Sequence, residues 1–125
     1  MKPPLAGLLY GKVEGFKRPG DYGPNNITVT TDVAKANVIT SMIADDLLRH
    51  KVVIDLDLPA KLVPSSTPGH FHLYIDHAME AEAYFKLLRA LSEAGIIEEG
   101  YYTASSDQGY SAVRLPWVKK GVAEK

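Results

Sequence analysis

The apolar positions of this chain change period several times, and each change marks an element. From Ile27 to Thr31 every residue is β-branched, with apolar Ile27 and Val29 alternating with threonines, the pattern of a short strand. Thr31 or Asp32 then stands where a helix cap belongs. Ala36, Ile39, Ile43 and Leu47 follow at helical spacing, leaving Lys35, Asp45, Asp46 and Arg49 toward water, which predicts a helix from about 33 to 50. Val52 to Leu58 is a nearly continuous apolar run broken by two aspartates and reads as a central strand. Pro59, Pro64, Pro68 and Gly69 mark a loop. From His70 to Asp76 the alternation is clean, with Phe71, Leu73 and Ile75 on one side and His70, His72, Tyr74 and Asp76 on the other. Tyr84, Leu87, Leu88 and Leu91 form the buried stripe of a helix over about 79–94, closed by Gly95. Strands over about 97–105 and 110–115 complete the pattern, separated by a turn at Asp107-Gln108-Gly109.

The order β-α-β-β-α-β-β predicts an α+β fold, with two helices packed on one face of a mostly antiparallel sheet. Residues 1–26, rich in proline and glycine, read as an irregular arm with a short strand near Leu8 to Val13. Residues 27–118 then form a single domain, and 119–125 a loose polar tail. At 125 residues and 46% hydrophobic composition, one ordinary core is affordable. The absence of cysteine removes disulfides, zinc fingers and thiol chemistry. A net charge of −1 gives no bulk attraction to nucleic acid and leaves room for local basic clusters. No signal peptide or membrane span is legible, so the expectation is a cytoplasmic protein without a membrane partner.

Chemistry enters through the faces. If Val52, Ile54, Leu56 and Leu58 pack under the helices, Asp55 and Asp57 point to the open face. His70, His72 and Tyr74 join them from the next strand, and Tyr110, Ala112 and Arg114 from the last. Carboxylates at i and i+2 on a strand stand about 6.5–7 Å apart at Cα, close enough to converge on one Mg²⁺ or Mn²⁺. A neighbouring histidine and arginine would then hold phosphates. Each residue also has a plainer role: Asp55 and Asp57 as solvent-facing charges, the histidines as half-exposed strand residues, Tyr74 as packing, Arg114 as half of an ion pair.

Val52-Val53-Ile54-Asp55-Leu56-Asp57 resembles the first motif of the archaeo-eukaryotic primase superfamily, an apolar strand ending in DxD. Ser66-Thr67-Pro68-Gly69-His70-Phe71-His72-Leu73-Tyr74-Ile75 is similar to its second motif, in which small residues and glycine lead into a histidine-bearing strand. The resemblance covers roughly residues 52–116 and implies an RRM-like sheet. It implies a metal on Asp55 and Asp57, with Asp107 the nearest match to a third carboxylate. It further implies nucleotide contacts from Ser66 and His72, with His70, Tyr74 and Arg114 beside them, and nucleotidyl transfer with Asp55, Asp57 and His72 as the catalytic set. The sequence also looks like small proteins of actinobacterial phages, which implies a setting in phage DNA replication in a host cytoplasm.

Two other readings use the same residues. His70-Phe71-His72 resembles the paired histidines of HUH single-strand endonucleases, in which a helix tyrosine attacks the phosphate. Tyr84 would be that tyrosine, although Leu87 stands where the family carries lysine. Alternatively, a face bearing Tyr74, Tyr110 and Arg114 would stack single-stranded bases without catalysis, or bind a protein.

Overall fold

In the first half of the chain the side chain of Asn37 ties two distant segments together. In the computed structural model, which describes residues 2–14 and 27–119, Asp32 does cap the turn that follows, its carboxylate accepting from the Ala34 amide at 3.0 Å. That turn lasts only from Val33 to Lys35. Asn37 then bonds both backbone groups of Val13, its amide nitrogen donating to the carbonyl and its oxygen accepting from the N–H, each at 2.9 Å. The chain continues as a strand. The helix expected over 33–50 is therefore replaced by two strands, β3 (Val38–Ile43) and β4 (Asp46–His50). The physical reason is that Val38, Ile39, Thr40 and Ile43 are β-branched, and every residue of β3 is half-buried, as befits a strand with neighbours on both sides.

Those neighbours include β1 (Leu8–Val13), which lies between β3 and β2 (Ile27–Thr30) in an antiparallel sheet of order β2-β1-β3-β4. The strand foreseen in the N-terminal arm is thus an inner strand of the sheet. Register fixes Gly11 opposite Val29 on one side and Val38 on the other. A Cβ at Gly11 would come within 2.6 Å of Ile27 Cγ2 and 3.1 Å of Val38 Cγ2, so glycine is required by the close approach of both flanking strands. Leu8 and Val13 supply the buried apolar positions. Thr40 Oγ1 donates to the Leu9 carbonyl and Lys51 Nζ to that of Ala6, both at 2.9 Å.

The chain divides after Asp55 into two compact units, residues 1–55 and 56–125, where the pattern implies one domain from 27. The rest of the expected arm, 15–26, and the tail beyond 119 lie outside the described residues.

In the second unit, β5 (Ala60–Pro64) and β6 (Phe71–Ile75) form an antiparallel hairpin. β5 occupies part of the segment expected to be loop, tolerating Pro64 because it lies at the strand end. Helices α1 (Ala81–Glu93) and α2 (Glu99–Gln108) follow. The α1 stripe holds at Tyr84, Leu88 and Leu91, while Leu87 is exposed. Gly95 and Gly109 follow the two helices at φ +79° and +90°, the left-handed backbone that favours glycine at such ends. The strand expected over 97–105 is α2 instead, and 110–115 carries no strand. Tyr101-Tyr102-Thr103 has strand-like composition, but the helix runs through it to its glycine stop, and Ser105 is buried on it. The class is α+β, and every strand pair among the described residues is antiparallel. No helix among the described residues is long and apolar enough to cross a membrane.

Candidate functional site at the hairpin turn

The hairpin connection is built from Ser65-Ser66-Thr67-Pro68-Gly69. The Ser65 N–H donates to the His70 carbonyl at 2.9 Å, and the His70 N–H to the Thr67 carbonyl at 3.1 Å. Ser65 Oγ accepts from the Thr67 amide at 3.1 Å. Gly69, at φ +81°, makes the reversal possible. This network holds Ser66 exposed at the turn.

Residues 111–119 have no regular structure, yet they are tied down. Tyr84 Oη donates to Ser111 Oγ at 2.6 Å, and Ser111 Oγ donates to the buried Ser105 Oγ at 2.8 Å. This hydroxyl chain fastens the start of the segment to both helices. Three residues later, Arg114 Nη2 donates to Ser66 Oγ at 3.1 Å. Arg114 is half-buried, and its Nε is shielded from water without a hydrogen-bond partner. None of the ion pairs found among the described residues involves Arg114. A guanidinium in that state has its charge only partly compensated.

The same segment borders an open depression of about 660 Å³, where Leu115 and Pro116 stand near Lys61, Val63 and Tyr74 of the hairpin. Register places Lys61 opposite Tyr74, and Val63 opposite His72. The hairpin therefore has unlike faces, as period two requires, but their exposure is not the one expected. His72 is half-buried, whereas Phe71 and Leu73, expected under the helices, are 56% and 59% exposed.

The nominated residues separate accordingly. Ser66 and Arg114, proposed as nucleotide contacts, are hydrogen-bonded to each other. Tyr74 borders the depression and His72 shares its strand, while His70 is exposed at the strand entrance and its backbone closes the turn. Asp55 and Asp57 are exposed in a stretch that is not a strand, so the alternation that was to aim both at one face does not operate there. Val52, Val53 and Ile54 are likewise exposed rather than packed. Asp107, expected in a turn, is exposed on α2. No group of three or more histidine, aspartate or glutamate side chains able to hold a metal is assembled among the described residues. Two carboxylates have the right oxygen chemistry for Mg²⁺ or Mn²⁺. Tyr84, the alternative nucleophile, has its hydroxyl engaged by Ser111.

Sequence reasoning passed over Lys61, Ser65 and Ser111. Lys61 was legible as the one cation in Ala60–Pro64, had that stretch been read as a strand. Ser65 and Ser111 carry no comparable mark, because their roles depend on what lies opposite them. Comparison of the chain with protein-family models, with curated proteins and with solved structures gives no match.

Proposed function

We propose that the second unit binds the phosphate groups of a nucleotide or of single-stranded nucleic acid at the hairpin turn, through Arg114 and Ser66. The observation that carries this reading is the bond between them across 48 positions of sequence. It sets a cation beside a hydroxyl-rich turn, with no carboxylate paired to it among the described residues. Arginine presents donors in a planar fork that suits phosphate oxygens, and its Nη2 stands at the exposed turn. Lys61 adds a second positive charge at the depression, and Tyr74, 39% exposed, offers a ring on which a base would stack.

The resemblance to primase-polymerases extends the proposal to metal-dependent nucleotidyl transfer in phage DNA replication, in a host cytoplasm, with Asp55 and Asp57 as ligands of Mg²⁺ or Mn²⁺. Because the described residues add no third ligand to those carboxylates, the chemistry supported best is binding rather than transfer.

Fluorescence anisotropy with a labelled single-stranded oligonucleotide, competed by nucleoside triphosphate, tests the reading. Arg114→Ala is expected to weaken binding about tenfold, which corresponds to about 1.4 kcal/mol, with Arg114→Lys intermediate. Wild-type protein that binds neither ligand, or an Arg114→Ala variant that binds as well as wild type, would overturn it.

A further inference from the structure

Three hydroxyls meet in the second unit away from the hairpin turn, and phosphate binding there leaves them idle. Ser105 lies on α2 and is 1% exposed. Its carbonyl accepts from the Gly109 amide at 2.9 Å, the bond that closes the helix. Its hydroxyl accepts from Ser111 at 2.8 Å, so the residue near the helix end also catches the chain leaving it. A serine hydroxyl has one proton to give and two lone pairs to receive with. Ser111 gives its proton to Ser105 and receives that of Tyr84, on α1, at 2.6 Å. It is thereby held from both helices.

Two further bonds restrain the same segment. Gln108 Nε2 donates to the Tyr110 carbonyl at 2.7 Å, just before Ser111. The Val118 amide donates to the Leu115 carbonyl at 3.0 Å, closing a turn just after Arg114. Residues 112–114 are thus held at both ends. Arg114 follows Ser111 by three residues, a reach of at most about 11 Å, and its guanidinium crosses from there to Ser66 on the hairpin. The helices pack on each other and β5 on β6, whereas neither helix packs broadly on either strand of the hairpin. Where Arg114 stands relative to the turn is therefore set by this segment more than by helix-on-strand packing.

We infer that Tyr84, Ser111 and Ser105 are positioning residues for phosphate binding at the turn, on the premise that phosphate is bound there. They touch no ligand, and they hold the segment that carries Arg114 to Ser66. Loosening them spreads the guanidinium over more positions, and only the molecules with Arg114 at the turn bind. Tyr84→Phe probes this with the loss of one oxygen, because it keeps the ring that meets Phe85 edge-on at 5.2 Å.

Oligonucleotide anisotropy with the full chain reads the effect. Tyr84→Phe and Ser111→Ala are each expected to weaken binding about three- to tenfold, the span of one net hydrogen bond. Circular dichroism should be unchanged, and Ser111→Thr should retain most of the affinity. A double-variant cycle separates positioning from general loosening. In an Arg114→Ala background, Tyr84→Phe is expected to have no further effect, because its hydroxyl acts only through Arg114. Wild-type affinity in well-folded Tyr84→Phe and Ser111→Ala would overturn the inference and leave the phosphate reading intact. So would equal losses from Tyr84→Phe with and without Arg114. Wild type that binds no oligonucleotide would overturn the phosphate reading itself, and this inference with it.

Discussion

The four-stranded sheet of the first unit and the hairpin of the second are both antiparallel, yet they solve opposite problems. In the sheet, β1 has a strand on each side, and side chains lock the backbone from outside the ladder. Asn37 closes both polar groups of Val13, Thr40 reaches Leu9, and Lys51 reaches Ala6. At Gly11 there is no room for even a methyl group. The hairpin has two strands only, with Leu62, Phe71 and Leu73 exposed on one side and a shallow groove on the other. Side chains in the sheet serve its own backbone, whereas the hairpin positions a cation and hydroxyls at its turn and an aromatic ring beside Lys61. Function is therefore sought at the loop that gathers charge and hydroxyls on a short scaffold rather than in the interlocked sheet.

Substitutions can break that contrast, and the largest effect is expected in the helical part of the second unit. Leu88 is buried on α1, so Leu88→Ala is expected to cost about 2–5 kcal/mol in urea denaturation through lost burial and the cavity left behind. Next comes the sheet. Gly11→Ala forces β1 away from Ile27 and Val38 and is expected to destabilise the first unit by about 1–3 kcal/mol. Hydrogen exchange should show the loss in β1–β3 and not in β5–β6. Asn37→Ala removes both side-chain bonds to Val13 and is expected to cost about 1–2 kcal/mol in the same measurement. The smallest effect belongs to the exposed pair Lys86–Glu82 on α1, at 3.1 Å. Lys86→Ala is expected to change stability by less than about 0.5 kcal/mol and to leave oligonucleotide anisotropy unchanged.

How much of this could be read in advance depended on whether the deciding contact was local. The strand at β6, though not which of its faces is covered, the α1 stripe at Tyr84, Leu88 and Leu91, and the glycine after α1 are local patterns, and they hold. The cap at Asp32 also holds, but the helix it was to start does not continue. Ile39 and Ile43 are four residues apart, a spacing that fits one face of a helix and equally one face of a strand. Val38 before them and Thr40 between them, with Asn37 tied to Val13 of the neighbouring strand, settle it for the strand. In α2 the aromatic and threonine residues imitate a strand, and the helix shows only in its ends. The candidate site was legible as a set of residues and not as an arrangement. Ser66 and Arg114 were each named, but nothing in the sequence states that they bond. The side of β6 left exposed follows from where residues 111–116 lie, which no strand period encodes. Asp55 and Asp57 were aimed by a strand that the structure does not contain.

On the proposed reading, phosphate is bound at the hairpin turn and not by the four-stranded sheet. The most direct measurement is an NMR titration of uniformly ¹⁵N-labelled full chain with a nucleoside triphosphate, following the backbone amides and the Arg114 Nε–H together. The expected result is saturable shifts at Ser65 to His72 and at Arg114 Nε, with β1–β4 unmoved. Shifts confined to the first unit, or none at the turn under saturating ligand, would contradict it.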